Sequence, residues 1–403
     1  MLSEHAIVKK KAIMCAAKMM RKVPDSIEAI NFHKMKLFSE KNNSVFLTLC
    51  HLLQELRNYE NYETQLYQAK QQLSYFEKFF KKLVTADFNP DYSVNGVNDP
   101  FLQVKIIQLL KSFRPGRNGS KEEFSTVIQI ASSAENSSNS NGARLFECVK
   151  TMLSHVSESC FKAMAIDILA RFLNSKDNNF KFVSLNTLSD SIREKEMILQ
   201  HQFTIMDCLW DKDSSISNRA LDLLHNLTCE KNYKITIKEF LKFMSKKNLD
   251  SESSKSLLIK IFNTLEKHEK DSKRYIDLLS AAISKTSKTD EFVNRKFSNF
   301  IKRGDAKTQK YFVDKMAETI FEHISEPILN LAFWGMGEYF DLAETQNKKK
   351  IIKAMDLIGA DPLLVLSEKS IYFYANTLFK ILLANNKKLR FQIKSTSLKF
   401  IIL

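Results

Sequence analysis

The strongest constraint on this chain is a pattern that it states twice between Phe161 and Thr228. The first copy reads LNSKDNNFKFVSLNTL, Leu173 to Leu188, and the second LWDKDSSISNRALDLL, Leu209 to Leu224. An offset of 36 residues carries Lys176 onto Lys212, Asp177 onto Asp213, Phe180 onto Ile216, Leu185 onto Leu221 and Leu188 onto Leu224. In each copy a short polar turn ends in Asp and a helix follows. Asp at that place accepts hydrogen bonds from the first free helical N–H groups and suits the positive end of the helix dipole. The helix after Asp213 carries Ile216, Ala220, Leu223, Leu224 and Leu227 at i, i+4, i+7, i+8 and i+11, the stripe of a buried face. The helix before Asp177 carries Phe161, Ala165, Ile168, Leu169 and Phe172 by the same rule. The reading is a stacked helix-pair repeat.

The pattern recurs upstream. In EKNNSVFLTLCHLLQEL, Glu40 to Leu56, Asn42 sits where Asp177 sits, and Val45, Cys50 and Leu53 match Phe180, Leu185 and Leu188. The stretch DFNPDYSVNGVNDPFLQVKIIQLLKSF reads as a loop and then a further copy. There Asp99 is the cap, and Pro100 takes the first helical position, where a missing N–H costs nothing. Leu102, Ile106, Leu109, Leu110 and Phe113 form its buried stripe.

Other helices are predicted at Ala6 to Val23, Thr64 to Val84, Ile235 to Met244, Ser253 to Leu265, Ser272 to Ile283, Asp290 to Ile301 and Ala306 to Ile324. Glu326 to Leu342 places Trp334 with Gly335 and Gly337 in one helical stretch. Helical glycine costs about 1 kcal/mol, so this pair implies a neighbouring helix in close contact. RPGRNGSKEE reads as a loop, FSTVIQIA as a short helix, and TQNKKK as a charged loop. The Ser/Asn-rich residues 131–142 read as a mobile inter-helix loop, and residues 343–403 as divergent C-terminal helices of a single array spanning 1–403.

Composition agrees with an all-α reading. Only 8 glycines and 6 prolines among 403 residues disfavour a turn-rich β fold. No apolar run approaches the roughly 18 residues of a membrane span, and MLSEHAIVKKK lacks the apolar stretch of a signal peptide. Six scattered cysteines form no CxxC pair, which suits a reducing compartment. The net charge of +15 leaves two readings open, attraction to an anionic surface or a bias towards lysine codons. In the opening helix Val8, Ala12, Cys15, Ala16 and Met19 are read as one face, with Lys10, Lys11, Lys18, Arg21 and Lys22 mostly opposite. That basic face is either a solvated outer surface or a site for anionic lipid headgroups.

No signature of catalysis stands out. The chain has no G-x-G-x-x-G, P-loop, G-x-S-x-G or H-E-x-x-H. His201 and Cys208 could share a helix face, but a structural metal site needs three or four ligands. Asp177 and Asp213 are better explained as caps than as paired catalytic carboxylates. No cofactor is expected. The basic residues are spread along helices without the aromatic interleaving of nucleic-acid binders, so no nucleic-acid partner is expected.

Paired helices opened by Asp are the HEAT/armadillo pattern, and Asp99 to Lys105 fits the D-P-x-x-x-V-K turn of HEAT repeats. NPDYSVNGVNDPFLQVKIIQLL resembles the signature stretch of the gamma-adaptin trunk, a large subunit of the AP-1 clathrin adaptor. So do AIVKKKAIMCAAKMMRKVPD, SEKNNSVFLTLCHLLQEL, AIDILARFLNSKDNNFKFVSLNTL, TIMDCLWDKDSSISNRALDLL and LAFWGMGEYFDL. These segments follow the family's order from about Ile7 to Leu342. GARLFE before Cys148 departs from the family's usual motif, and the last stretch matches poorly. The family's first helices, hinge and ear are not found, and the apolar LKFIIL end resembles a cut, so a divergent or truncated member is expected.

The resemblance implies a right-handed α-solenoid that is a scaffold and not an enzyme. Its implied partners are a beta-type large adaptin, a medium mu and a small sigma subunit, a small Arf-type GTPase and a phosphoinositide membrane surface, with clathrin met only indirectly. It implies trans-Golgi or endosomal membranes and coated vesicles as the place of work. The other reading is a HEAT scaffold of a different class, a nuclear-transport receptor or a phosphatase scaffold.

Overall fold

Helix caps and apolar stripes generate nearly all of the architecture. The computed structural model describes residues 5–30, 42–85, 91–94, 96–113, 125–132, 139–156, 158–246, 249–286, 291–322, 325–360 and 367–383. The chain divides into two compact units, residues 1–223 and 224–403.

The first unit opens with α1 (Ala6–Lys22), α2 (Asn43–Leu56), α3 (Glu63–Gln71) and α4 (Leu73–Thr85). A two-stranded hairpin follows, β1 (Ser93–Val94) and β2 (Val97–Asn98), with Val94 opposite Val97. Then come α5 (Pro100–Phe113), α6 (Ser125–Ser132), α7 (Asn139–His155), α8 (Ser159–Leu173), α9 (Asn178–Asp190), the short α10 (Lys195–Leu199) and α11 (Gln202–Asp207), and α12 (Ser214–Leu227). The helices form two layers. α2, α5 and α7 pack side by side, while α4, α6 and α8 back onto α5, α7 and α9. Between α7, α8 and α9 the rings of Phe146, Phe172 and Phe180 stack, with centroids 4.8 to 5.7 Å apart. Such contacts add to the area term of burial.

The second unit holds α13 (Tyr233–Lys246), α14 (Ser251–His268), α15 (Ser272–Ser284), α16 (Glu291–Arg303), α17 (Ala306–Glu322), α18 (Glu326–Tyr339), α19 (Thr345–Ala360) and α20 (Glu368–Leu383). Alternate helices pack again: α13 on α15, α15 on α17, α17 on α19, and α18 on α20. Asp250 and Asp271 cap α14 and α15 through their side chains, extending the rule seen at Asp177. The fold is an α-solenoid of stacked helix pairs.

Several expectations change. Thr64 to Val84 is two helices, broken at Gln72, and no Gly or Pro marks the break. TQNKKK is no loop but the first turns of α19. The Ser/Asn-rich stretch is helical at both ends: 131–132 close α6 and 139–142 open α7, while 133–138 lie outside the described residues. Gly142 in the first turn of α7 allows close packing on α9, since a Cβ on it would stand 2.3 Å from the Phe180 ring. The loop read before Asp99 contains the hairpin, whose turn has Gly96 at φ +79°. The loop at 114–123 and the apolar end at 398–403 lie outside the described residues.

Candidate functional site

Each cap is built from its own turn. Asp177 Oδ1 accepts from Asn179 N at 2.8 Å, and Asp213 Oδ1 from Ser215 N at 2.9 Å and the Ser215 hydroxyl at 2.5 Å. Asn42 Oδ1 accepts from Ser44 N and Val45 N. Asp99 is different: it is buried, holds a φ of +43°, and its Oδ1 accepts from Leu102 N at 3.1 Å. Its N–H donates to Tyr92 O, so the hairpin fixes the unusual backbone. Burial raises the Asp99 carboxyl above its ordinary value, with the bonds from Leu102 and Asn43 pulling the other way. Pro100 lies buried at the first position of α5.

The caps are also linked to one another. Asn43, the residue after one cap, donates from Nδ2 to Asp99 Oδ2 at 3.1 Å. Asn178, after another, donates from Nδ2 to Asp213 Oδ2 at 3.4 Å. The donor stands immediately after an Asn or Asp cap in both cases, a cap–Asn dipeptide that was visible in the sequence as Asn42-Asn43 and Asp177-Asn178.

In α1 the buried stripe is Ile13, Ala17 and Met20, packed on α2. This corrects the face read from the sequence. Val8, Cys15 and Met19 are exposed, and Ala12 and Ala16 only half-buried. Apolar residues cover more than one side of this helix, so periodicity alone does not choose among them. Lys11, Lys18 and Lys22 are exposed and Lys10 is half-buried. Arg21 is not part of a free basic face, because its Nε donates to Glu55 Oε2 of α2 at 2.8 Å.

Beside that helix the structure makes an open apolar groove of about 650 Å³. Met14 of α1, Leu47 and His51 of α2, and Phe101 and Val104 of α5 line it. Phe101 is 69% exposed and Ile7, further along α1, is 70% exposed. Leaving such side chains in water forgoes roughly 1.5–3 kcal/mol of burial for each. Large apolar groups clustered at a surface mark an interaction site more often than chance. The sequence concealed this groove because its walls come from positions as far apart as Met14 and Ala143, and its apolar members look like ordinary helical residues.

In the second unit Trp334, Gly335 and Gly337 lie on α18. A Cβ on Gly335 would meet Phe312 Cε1 of α17 at 2.2 Å, and one on Gly337 would meet the Thr377 Cα of α20 at 3.2 Å. Thr377 Oγ1 donates to Phe333 O at 2.7 Å across the same contact. Trp334 packs against Phe312 and edge-on against Tyr339.

His201 and Cys208 do not come together as one site. His201 pairs with Asp167 at 2.9 Å, while Cys208 is buried and its thiol is pushed up to about 11 by desolvation. Among the described residues, no cluster of three or more His, Cys, Asp or Glu side chains could hold a metal ion. No described helix is long and apolar enough to cross a membrane.

A solenoid of capped helix pairs defines a class, the stacked-repeat α-solenoids. The family model of the adaptin N-terminal region matches residues 1–403. The chain is 32% identical over 342 residues to the AP-1 complex subunit gamma of Dictyostelium discoideum, covering 83% of this chain and 37% of that one. It is 30% identical over 342 residues to AP-1 complex subunit gamma-2 of Arabidopsis thaliana, covering 83% and 39%. Among solved structures, a chain of a homology model of the full-length AP-3 complex in an intermediate open conformation matches with TM-score 0.50 and 13% identity, over 100% of this chain and 81% of that one. That last likeness is one of fold. The chain belongs to the adaptin family and is gamma-adaptin-like. It spans well under half the length of these two gamma relatives.

Proposed function

We propose that the chain serves as the large-subunit scaffold of a clathrin-associated adaptor complex in vesicle-mediated intracellular transport. The observation that carries this reading is the apolar groove between α1, α2 and α5, an exposed apolar surface among the described residues of the first unit. A lasting subunit contact buries over about 2,000 Å² and is largely apolar, and this groove supplies the kind of centre such a contact needs. Its occupant on this reading is the small sigma subunit, with a beta-type large adaptin and a medium mu subunit completing the assembly. The complex would work peripherally at trans-Golgi or endosomal membranes, recruited by an Arf-type GTPase and phosphoinositide, and would meet clathrin only indirectly. The exposed Lys11, Lys18 and Lys22 are the candidate membrane contacts, with Lys10 beside them.

The test is co-expression with the cognate sigma and mu subunits, followed by co-purification and size-exclusion chromatography. The chain should elute with sigma, and Phe101→Asp together with Met14→Asp should abolish that while leaving the circular dichroism of the chain unchanged. A soluble monomer that ignores sigma and captures a nuclear-transport GTPase or a phosphatase catalytic subunit would overturn the adaptor reading.

A further inference from the structure

The second unit carries a different kind of cleft. It lies between α16, α18 and α20, has a volume of about 540 Å³, and is lined by cations, amides and two aromatic rings. We propose that this cleft binds an extended acidic peptide segment of another protein. The proposal stands apart from the adaptor reading and from the α1–α2–α5 groove, since none of its residues belongs to the first unit.

Each helix presents a short row of side chains along the cleft. Arg295 and Lys302 stand seven residues apart on α16, so they lie on one face about 10 Å apart along the axis. Asn330 and Trp334 are one turn apart on α18, and Lys369 and Phe373 one turn apart on α20. The cations therefore do not converge on a point. A single phosphate or headgroup is held best by donors that close around it, whereas charges strung along a cleft suit a ligand with its own charges strung along a chain.

The cleft's two carboxylates lower its charge to a net +1 without removing the row of cations. Glu326 stays ionised, held below the usual carboxylate range by Ser367 and Ser370, and its charge is directed at those donors: it accepts Ser367 N at 3.3 Å and the Ser370 hydroxyl at 2.6 Å. Glu291 reaches Arg295 only at 3.9 Å, with both side chains about three-quarters exposed, which is a weak and screened contact.

Between the cations the floor has the chemistry of a peptide backbone site. The Asn330 Oδ1 is enclosed yet has no hydrogen-bond partner among the described residues. An enclosed acceptor left unmet is costly, and a main-chain N–H laid along the cleft would satisfy it. Lys302 Nζ rides over the Trp334 ring, 5.7 Å from its centroid, leaving the indole as a flat half-buried wall beside the half-buried Phe373. An apolar side chain of the peptide would lie against these rings, and its carboxylates would face Arg295, Lys302 and Lys369.

The probe is a fluorescein-labelled peptide repeating Glu-Phe-Pro, kept extended by its prolines, titrated with the full chain and followed by anisotropy. Binding should saturate, weaken with salt, and exceed that of the Lys-Phe-Pro peptide. Lys302→Glu combined with Lys369→Glu should lower affinity about tenfold or more. Asn330→Ala should lower it about fivefold without lowering the melting temperature, because the amide oxygen it removes has no partner to lose. That pairing separates a binding role from a structural one. Equal affinity for the two peptides, or unchanged affinity in both variants, would overturn the proposal. So would binding to phosphatidylserine vesicles that the double variant abolishes while the acidic peptide fails to bind.

Discussion

Asp177 holds the Asn179 amide, in the first turn of α9, through one carboxylate oxygen. Asp177→Ala should destabilise the fold by about 1 kcal/mol, seen as a lower urea midpoint with an unchanged slope. Asp213→Ala should move the midpoint the same way. If either change left the midpoint in place and removed a partner instead, capping would not be the residue's role. Asp213 also titrates informatively, being held below the usual carboxylate range chiefly by the Ser215 hydroxyl. A carboxylate depressed in the fold stabilises it above the unfolded value, and that stabilisation is lost as pH falls through the depressed value. Asp213→Asn should therefore flatten the acid limb of a stability–pH curve and leave neutral stability nearly unchanged, since Asn caps about as well. Asp99 has the opposite sign. Burial raises its carboxyl, so its contribution is full below the unfolded value and falls away as pH rises through the raised one. Asp99→Asn keeps a cap, suits φ +43°, and should raise the neutral melting temperature. Asp99→Ala loses the cap and strains the backbone, at about 2 kcal/mol. An alanine variant that melts above the asparagine variant would contradict this account.

Among the elements, close helix packing makes a ranked prediction. Gly335→Ala drives a methyl into Phe312, which is fully buried between Phe297 and Trp334 and has nowhere to turn. It should cost about 1–3 kcal/mol despite the better helix propensity of alanine. Gly142→Ala meets the end of the Phe180 ring, which is only half-buried and can rotate away. Thermal unfolding should rank Gly142→Ala as the milder change, and the reverse order would show that Phe180 is the more tightly held. Much of the element order was legible because Asp caps and i, i+4, i+7 stripes are local signals. The break at Gln72 was not, because nothing in its own turn demands it. The helical start of α19 hid behind three lysines that suit a solvated face as well as a loop. The β-hairpin has a readable sign in Asn95-Gly96 between valines. The caps of the candidate site were legible as residues, whereas the two clefts were not, since each needs three helices to be brought side by side before it exists.

For the molecule as a whole, the charge of +15 becomes testable once the positions of the lysines are known. If α1 meets a membrane, Lys10, Lys11, Lys18 and Lys22 changed together to Glu should weaken binding to anionic vesicles, and the remaining affinity should fall less steeply with salt. Equal, salt-insensitive binding to neutral and anionic vesicles would leave codon bias as the explanation. The cap-to-cap bonds bear on how a chain like this changes length over evolutionary time. Asn43 reaches Asp99 and Asn178 reaches Asp213, so at two joints the residue after one cap donates to a later cap. Such a joint is directional, like a hook and eye, and it sets the register of one helix pair on another. Deleting a few residues inside a pair would turn the eye away from its hook, whereas a change of one whole pair keeps every remaining helix in register. Gains and losses in the array should therefore come in whole pairs.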